Sequence, residues 1–124
     1  MLSNVVLGSN DMVKSCAFYD AVLATIGMRR VMELAPAVIY GVDAPAIIIR
    51  PPLNGDPATF ANGGTVGLAA PSRAAVDAWH DAALKHGGSC EGPPGPRALA
   101  GGLYGAYVRD PLGNKLSCYA YAAG

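Results

Sequence analysis

The strongest constraint on this chain is that it repeats itself. Val5-Val6-Leu7-Gly8 is a short apolar run, Ser9-Asn10-Asp11 follows it, and an apolar-periodic stretch then covers 12–26 before Gly27. Val66-Gly67-Leu68-Ala69-Ala70 starts the same series again, through Pro71-Ser72, a periodic stretch over 73–85 and Gly87-Gly88. Asp11 and Ser72 stand 61 positions apart, as do Gly27 and Gly88, Phe18 and Trp79, Tyr19 and His80, and Leu23 and Leu84. A single offset near half of 124 residues marks two copies of one unit. A chain of this length holds about one domain. It is therefore expected to form a single domain over 1–124, with one module over about 1–60 and the other over about 61–124.

Local chemistry fits this division. Asp11 and Ser72 carry oxygens that accept the unpaired amide protons of a first helical turn, and a glycine past the last turn suits the left-handed position that ends a helix. Met12, Cys16, Tyr19, Leu23 and Ile26 recur at alternating steps of four and three, which makes one apolar stripe. Val76, Trp79 and Ala83 do the same in the second copy, with Ala75 and Ala82 alongside. Strand-like pieces over 29–34, 37–42 and 46–50 are separated by Pro36 and by Asp43-Ala44-Pro45. After the second helix the Pro/Gly-rich run over 92–96 reads as a loop, and a hairpin over 103–109 and 115–120 closes the chain. Each half reads β-α-β-β-β, although the strand after the second helix is the least distinct. The fold class is α+β: two βαβββ modules pairing into an open, incomplete barrel with a concave pocket.

Side chains alternate across a strand. Val5 and Leu7 are thus expected to face the helices while Asn4, Val6 and Gly8 face the concavity. In the second copy Val66 and Leu68 face the helix, and Thr65, Gly67 and Ala69 face inward. In the last strand Leu116, Cys118 and Ala120 take one side and Lys115, Ser117 and Tyr119 the other. The inward set is mostly small or polar, which leaves room for a ligand. The alternative is a second packed core in which glycines permit close strand packing.

Composition excludes several partners. Nine Lys+Arg balance nine Asp+Glu, and only 15% of residues are charged, against a usual figure of about 25%. No extended basic surface for nucleic acid or an anionic membrane can be built from that. Apolar residues make up 52%, enough for a core, yet no run approaches the ~20 residues of a membrane span. The opening residues have no basic region and reach Asp11 too early for a secretory signal. Three cysteines, Cys16, Cys90 and Cys118, are an odd number without C-x-x-C spacing. Neither a disulfide framework nor a cysteine zinc site is expected, and the setting reads as cytoplasmic. Low charge and open sheet edges point to a homodimer.

A longer set of residues carries a family resemblance. It comprises Leu7-Gly8-x-x-Asp11, Ala17-Phe18-Tyr19-Asp20, Gly27-Met28, Ala69-Ala70-Pro71-Ser72-Arg73 and Val108-Arg109-Asp110-Pro111-x-Gly113-Asn114. In these the chain resembles the vicinal oxygen chelate superfamily of glyoxalases, bleomycin resistance proteins and extradiol dioxygenases, over nearly its whole length. The resemblance implies a divalent metal in the concavity, held by a His in the first strand, a His or Glu in the equivalent strand and a Glu in the final one. Carried over by position, these fall on Asn4, Thr65 and Ser117. The fourth strand, Ala46-Ile47-Ile48-Ile49-Arg50, offers no carboxylate or imidazole for a further ligand. Neutral oxygens alone are poor ligands for nickel, zinc or iron. No metal cofactor is therefore expected.

The remaining polar residues do not make a catalytic set. His80 and His86 lie six apart, on different helix faces, and read as a surface or half-buried helix position and a helix end. Asp11 reads as a cap, Asp20 and Asp77 as solvated, and Asp110 as a turn residue, with Glu33 open to either face. No general base with an orienting partner stands out. Candidate ligand contacts are Asn4, Thr65, Ser117, Tyr40, Tyr104, Tyr107, Tyr119, Arg50 and Arg97. An arginine turned into the concavity would favour an anion through bidentate bonding. Cys16 and Cys118 read as inert, buried thiols. The reading that follows is a metal-free protein binding a small organic molecule in its groove. The alternatives are a lyase or dioxygenase of the same superfamily using a metal or unusual residues, and a dimer with no small-molecule role.

Overall fold

Each half of the repeat folds into a four-stranded sheet with one helix against it, as seen in a computed structural model that describes residues 1–121. The first half contains β1 (Val5–Gly8), α1 (Met12–Ala24), β2 (Arg29–Leu34), β3 (Ala37–Gly41) and β4 (Pro45–Arg50). The second contains β5 (Val66–Ala70), α2 (Arg73–Lys85), β6 (Ser89–Arg97), a short 3₁₀ turn at Ala98–Ala100, β7 (Leu103–Arg109) and β8 (Lys115–Ala120). The sheet orders, β1-β4-β3-β2 and β5-β8-β7-β6, are the same order written twice. In each, the first strand pairs in parallel with the last and the other pairings are antiparallel. The sheets stay open and do not close into a barrel.

Both helices start as their caps dictate. The Asp11 carboxylate accepts from the Lys14 amide at 3.1 Å, and the Ser72 hydroxyl from the Ala75 amide at 3.1 Å. Both end in the same six-residue bond, Met28 N–H to the Leu23 carbonyl (3.0 Å) and Gly88 N–H to the Ala83 carbonyl (2.8 Å). The left-handed residue is Gly27 in the first (φ 85°) but Gly87 in the second (φ 98°), not Gly88. The repeat thus slips by one residue at the helix ends. Gly88 is needed for space, because a Cβ there would lie 2.6 Å from the Phe18 ring and 2.7 Å from the Arg109 carbonyl.

The first helix also buries a broader face than its stripe. Ser15, Phe18 and Val22 are buried beside Tyr19 and Leu23, while Met12, Cys16 and Ile26 are only partly covered. The helix packs on its own sheet and against α2 as well, so two adjoining faces lose their water. The two halves share one core in which Trp79, Tyr19, Tyr40 and Phe18 are the largest fully buried side chains.

The strand expected to be a loop is an edge strand. Cys90 to Arg97 pair with β7 although the segment holds Gly92, Pro93, Pro94, Gly95 and Pro96, and the register shifts on either side of Gly92. Proline is tolerated where only one edge is hydrogen-bonded and bulges absorb the missing donors.

A buried carboxylate ties the halves together. Asp110, 4% exposed, accepts from the Leu112, Gly113 and Asn114 amides at 2.8–3.0 Å and from Asn114 Nδ2 at 2.8 Å. It also takes the Tyr19 hydroxyl of the other module at 2.6 Å. Burial and this carboxylate push the Tyr19 phenol well above its ordinary range. Asn114 Nδ2 reaches on to the Gly8 carbonyl at 3.2 Å. Replacing Asp110 by alanine strands several of these donors, each worth about 1–3 kcal/mol when buried unpaired. Urea denaturation should show Asp110→Ala losing about 4 kcal/mol and Tyr19→Phe about 1 kcal/mol. A loss for Asp110→Ala no larger than that for Tyr19→Phe would remove the carboxylate from this role.

Candidate functional site

Alternation along β7 and β8 decides which side chains reach the free face of the second sheet. Ala106, Val108, Leu116, Cys118 and Ala120 point into the core. Gly105, Tyr107, Arg109, Lys115, Ser117 and Tyr119 take the opposite side, with Gly105 across from Tyr119 and Tyr107 between Ser117 and Gly92. The glycines let the aromatic rings lie down on the sheet. A Cβ at Gly105 would collide with the Tyr119 ring, and one at Gly92 would sit 3.1 Å from both Tyr107 and Arg97. Tyr107 and Tyr119 share a hydroxyl–hydroxyl hydrogen bond and pack edge to face at 5.9 Å between centroids.

Over this floor lies a cleft of about 560 Å³ lined by Thr65, Glu91, Arg97, Tyr107 and Lys115 among others. The Arg97 guanidinium and the Lys115 ammonium both lie over the Tyr107 ring, at 5.5 and 5.3 Å from its centroid. Arg97 donates one η nitrogen to the Pro93 carbonyl, and its Nε is buried without a partner among the described residues. Arg109 donates Nε to Glu91 at 2.5 Å and Nη1 to the Gly113 carbonyl at 2.8 Å. The guanidinium holds the Glu91 carboxyl below its usual range.

Of the residues expected to contact a ligand, Thr65, Arg97 and Tyr107 line this cleft, and Ser117 and Tyr119 lie on the same face. Asn4 shares a neighbouring cleft of about 380 Å³ with Thr65, at the seam between β1 and β5. Arg50 lines a separate cleft of about 550 Å³ with Val6, Gly8 and the segment after β4, and donates to the Pro51 carbonyl at 3.0 Å. Tyr40 and Tyr104 belong elsewhere. Both lie on the helix faces of their sheets, Tyr40 donating to Asp20 of α1 at 2.7 Å and Tyr104 to Asp77 of α2 at 2.5 Å. Asp20 and Asp77 are exposed helix positions, each also accepting a tyrosine hydroxyl from the adjoining sheet. The Arg30 guanidinium grips Asp20 through two 2.8 Å bonds, lowering its pKa, and also pairs with Glu33 at 3.1 Å. Lys115, Glu91 and Arg109 were absent from the expected contacts. Period-two spacing from Tyr119 through Ser117 already places Lys115 on their face.

The family model described as Glyoxalase/Bleomycin resistance protein/Dioxygenase superfamily matches residues 2–117. The chain belongs to this superfamily. A glyoxalase/bleomycin resistance protein from Albidiferax ferrireducens T118 is 44% identical over 97% of this chain and 98% of its own, with a TM-score of 0.90. A lactoylglutathione lyase from Agrobacterium tumefaciens is 23% identical over 98% of this chain and 93% of its own (TM-score 0.68). A glyoxalase-related enzyme from Fulvimarina pelagi is 17% identical over 97% and 87% (TM-score 0.77). These last two share the fold. Among curated proteins none is significantly similar to the chain.

The positions on which the resemblance would place metal ligands, Asn4, Thr65 and Ser117, carry an amide and two hydroxyls. Asn4 and Thr65 are exposed, and Ser117, buried to 3%, lies beside Gly67 on the adjacent strand. Among the described residues no three His, Cys, Asp or Glu side chains come together as a metal site. Such a neutral oxygen set does not fit nickel, zinc or iron.

Neither histidine approaches the cleft face. His86 caps the end of α2, and His80, 8% exposed, sits with Nε2 3.2 Å from Cys90 Sγ on the helix side. Burial lowers the His80 pKa. Burial also pushes the Cys118 thiol up to about 12, so almost no thiolate exists there at neutral pH, whereas Cys90 is exposed. A thiol reagent followed by mass spectrometry should modify Cys90 first in the native protein and Cys118 only after denaturation. Labelling of Cys118 at the rate of Cys90 would contradict its placement in the core.

Proposed function

We propose that the chain binds a small organic molecule on the free face of its second sheet, without the divalent metal of its superfamily. The observation that carries the reading is a cleft of about 560 Å³ lined by Tyr107, Arg97, Lys115 and Thr65, with Ser117 and Tyr119 on the same face of the sheet. Its volume falls within the ~300–1,000 Å³ of small-ligand sites. The balanced charge argues against nucleic acid or a membrane surface as partner, and no helix is long and apolar enough to cross a membrane. Three free thiols fit a cytoplasmic setting.

Metal analysis of the purified protein decides between this reading and a lyase or dioxygenase of the same superfamily. Less than one tenth of an equivalent of nickel, zinc, iron or manganese per chain is expected, after incubation with each (roughly the level of adventitious binding). One equivalent would transfer the protein to the metal-dependent enzymes. The combined variant Asn4→His, Thr65→His, Ser117→Glu should bind nickel or zinc. A folded variant that takes up neither would show that these positions do not converge.

The free face of the first sheet supports a homodimer. Val6 pairs with Ile48, Ile48 with Ile39 and Ile39 with Met32, forming one apolar row away from α1. Val6 and Met32 are 54% and 47% exposed, and Leu34 on the same face is 60% exposed. A second copy would cover this row and give the groove its opposite wall. Light scattering at micromolar concentration should return twice the mass of the chain, and a monomer mass would overturn the dimer.

A further inference from the structure

We infer that the ligand of the second-sheet cleft carries an anionic group, a carboxylate or a phosphate, held between Arg97 and Lys115 over the Tyr107 ring. This rests on the reading of that face as a ligand site and adds the chemistry the site selects. The cleft concentrates charge that the whole molecule lacks. The chain has nine Lys+Arg and nine Asp+Glu, yet among the described residues Arg97, Lys115 and Arg109 share this face with the carboxylate of Glu91 alone. Glu91 is already engaged, since Arg109 holds it at 2.5 Å. Arg97 and Lys115 have no carboxylate partner among the described residues. Both lean on one phenol ring, which attracts each cation without supplying a charge. Glu91, held by Arg109 and also within the field of Lys115, is one carboxylate against three cations, and a bound anion supplies the missing charge.

The surroundings favour an anion with an apolar body. Pro96, Ala98 and Leu99 line the same cleft, and Thr65 brings a hydroxyl that can donate to an anionic oxygen. Neither cation is a fully extended surface side chain: both are partly buried, and Arg97 Nε has already lost its water without gaining a partner. Arg50, by contrast, lies on the other sheet and occupies a separate cleft.

Probes of one shape and different charge test this on the intact protein. Phenylacetate, phenyl phosphate, phenylacetamide and phenethylamine are titrated at millimolar concentration while amide ¹H–¹⁵N shifts are recorded. At least one of the two anions should shift the amides of residues 97, 107 and 115 and bind at least about tenfold more tightly than the amide or the amine, the scale of one charge-assisted contact. Arg97→Gln and Lys115→Gln should each weaken that anion about tenfold, with Arg50→Gln leaving it unchanged; spectra elsewhere in each variant report that the fold is kept. Phenylacetamide or phenethylamine binding these residues as tightly as the anions would overturn the anion while leaving the ligand site standing. Anion binding that survives both substitutions, or that centres on Arg50, would overturn it too. If no probe of any charge shifts this face, the inference and the ligand-site reading fall together.

Discussion

Asp110 stands where the two halves of the chain meet, and its carboxylate serves both. Three amides of the 110–114 turn converge on its Oδ1 and fix the crossing from β7 to β8, while the Tyr19 hydroxyl brings α1 of the other module to its Oδ2. Inside a core this arrangement has only one satisfied geometry, because each donor it holds would otherwise be buried unpaired. The turn sets the hairpin register, and the register sets which residues of β7 and β8 look away from the helix. A one-residue slip would put Val108 and Leu116 in the cleft and Tyr107 and Lys115 in the core. The chemistry of the open face is thus a consequence of a hydrogen-bonded cluster on the other side of the sheet.

The duplication kept the topology and let the two faces diverge. Sheet order, strand polarity, helix caps and the six-residue bonds at the helix ends recur in both modules. The free face of the first sheet is an apolar row of Val6, Ile48, Ile39 and Met32, whereas the corresponding region of the second is glycine, tyrosine and cation. A symmetric pocket cannot arise from such surfaces. In the proposed dimer, one would supply an apolar wall and the other hydrogen bonds and charge.

How much of this could be read from the sequence depended on the kind of force involved. Caps and turns are local, so Asp11, Ser72 and the 110–114 turn announced themselves, and the 61-residue offset carried the architecture. β6 stayed hidden because its prolines and glycines carry the signature of a loop, and only pairing with β7 along one edge makes a strand of them. Tyr40 and Tyr104 were ambiguous for a different reason. A phenol suits either face of a sheet, and a carboxylate on the packed helix, Asp20 or Asp77, was what drew each inward. Glu91 was illegible as a residue of this face because a bulge beside Gly92 decides where it points. Alternation alone could supply both Arg109, two residues from Tyr107, and Lys115, two residues from Ser117.

Under the proposed function, the neutral residues at positions 4, 65 and 117 and the cation pair belong to one electrostatic account. Lys115 lies two residues from Ser117 on the same face of β8, about 7 Å away by strand geometry. A divalent ion held at Ser117 would share this face with the Lys115 ammonium, and like charges oppose each other. A His and carboxylate cage could offset that repulsion; an amide and two hydroxyls contribute no charge with which to do so. Without an ion, a cation on this strand competes with nothing, and Lys115, Arg97 and Arg109 give the face more positive charge than Glu91 offsets. Under the proposed function, losing the metal and acquiring a preference for anions are therefore two sides of one change, in which positive charge moves from a bound ion to side chains of the protein itself.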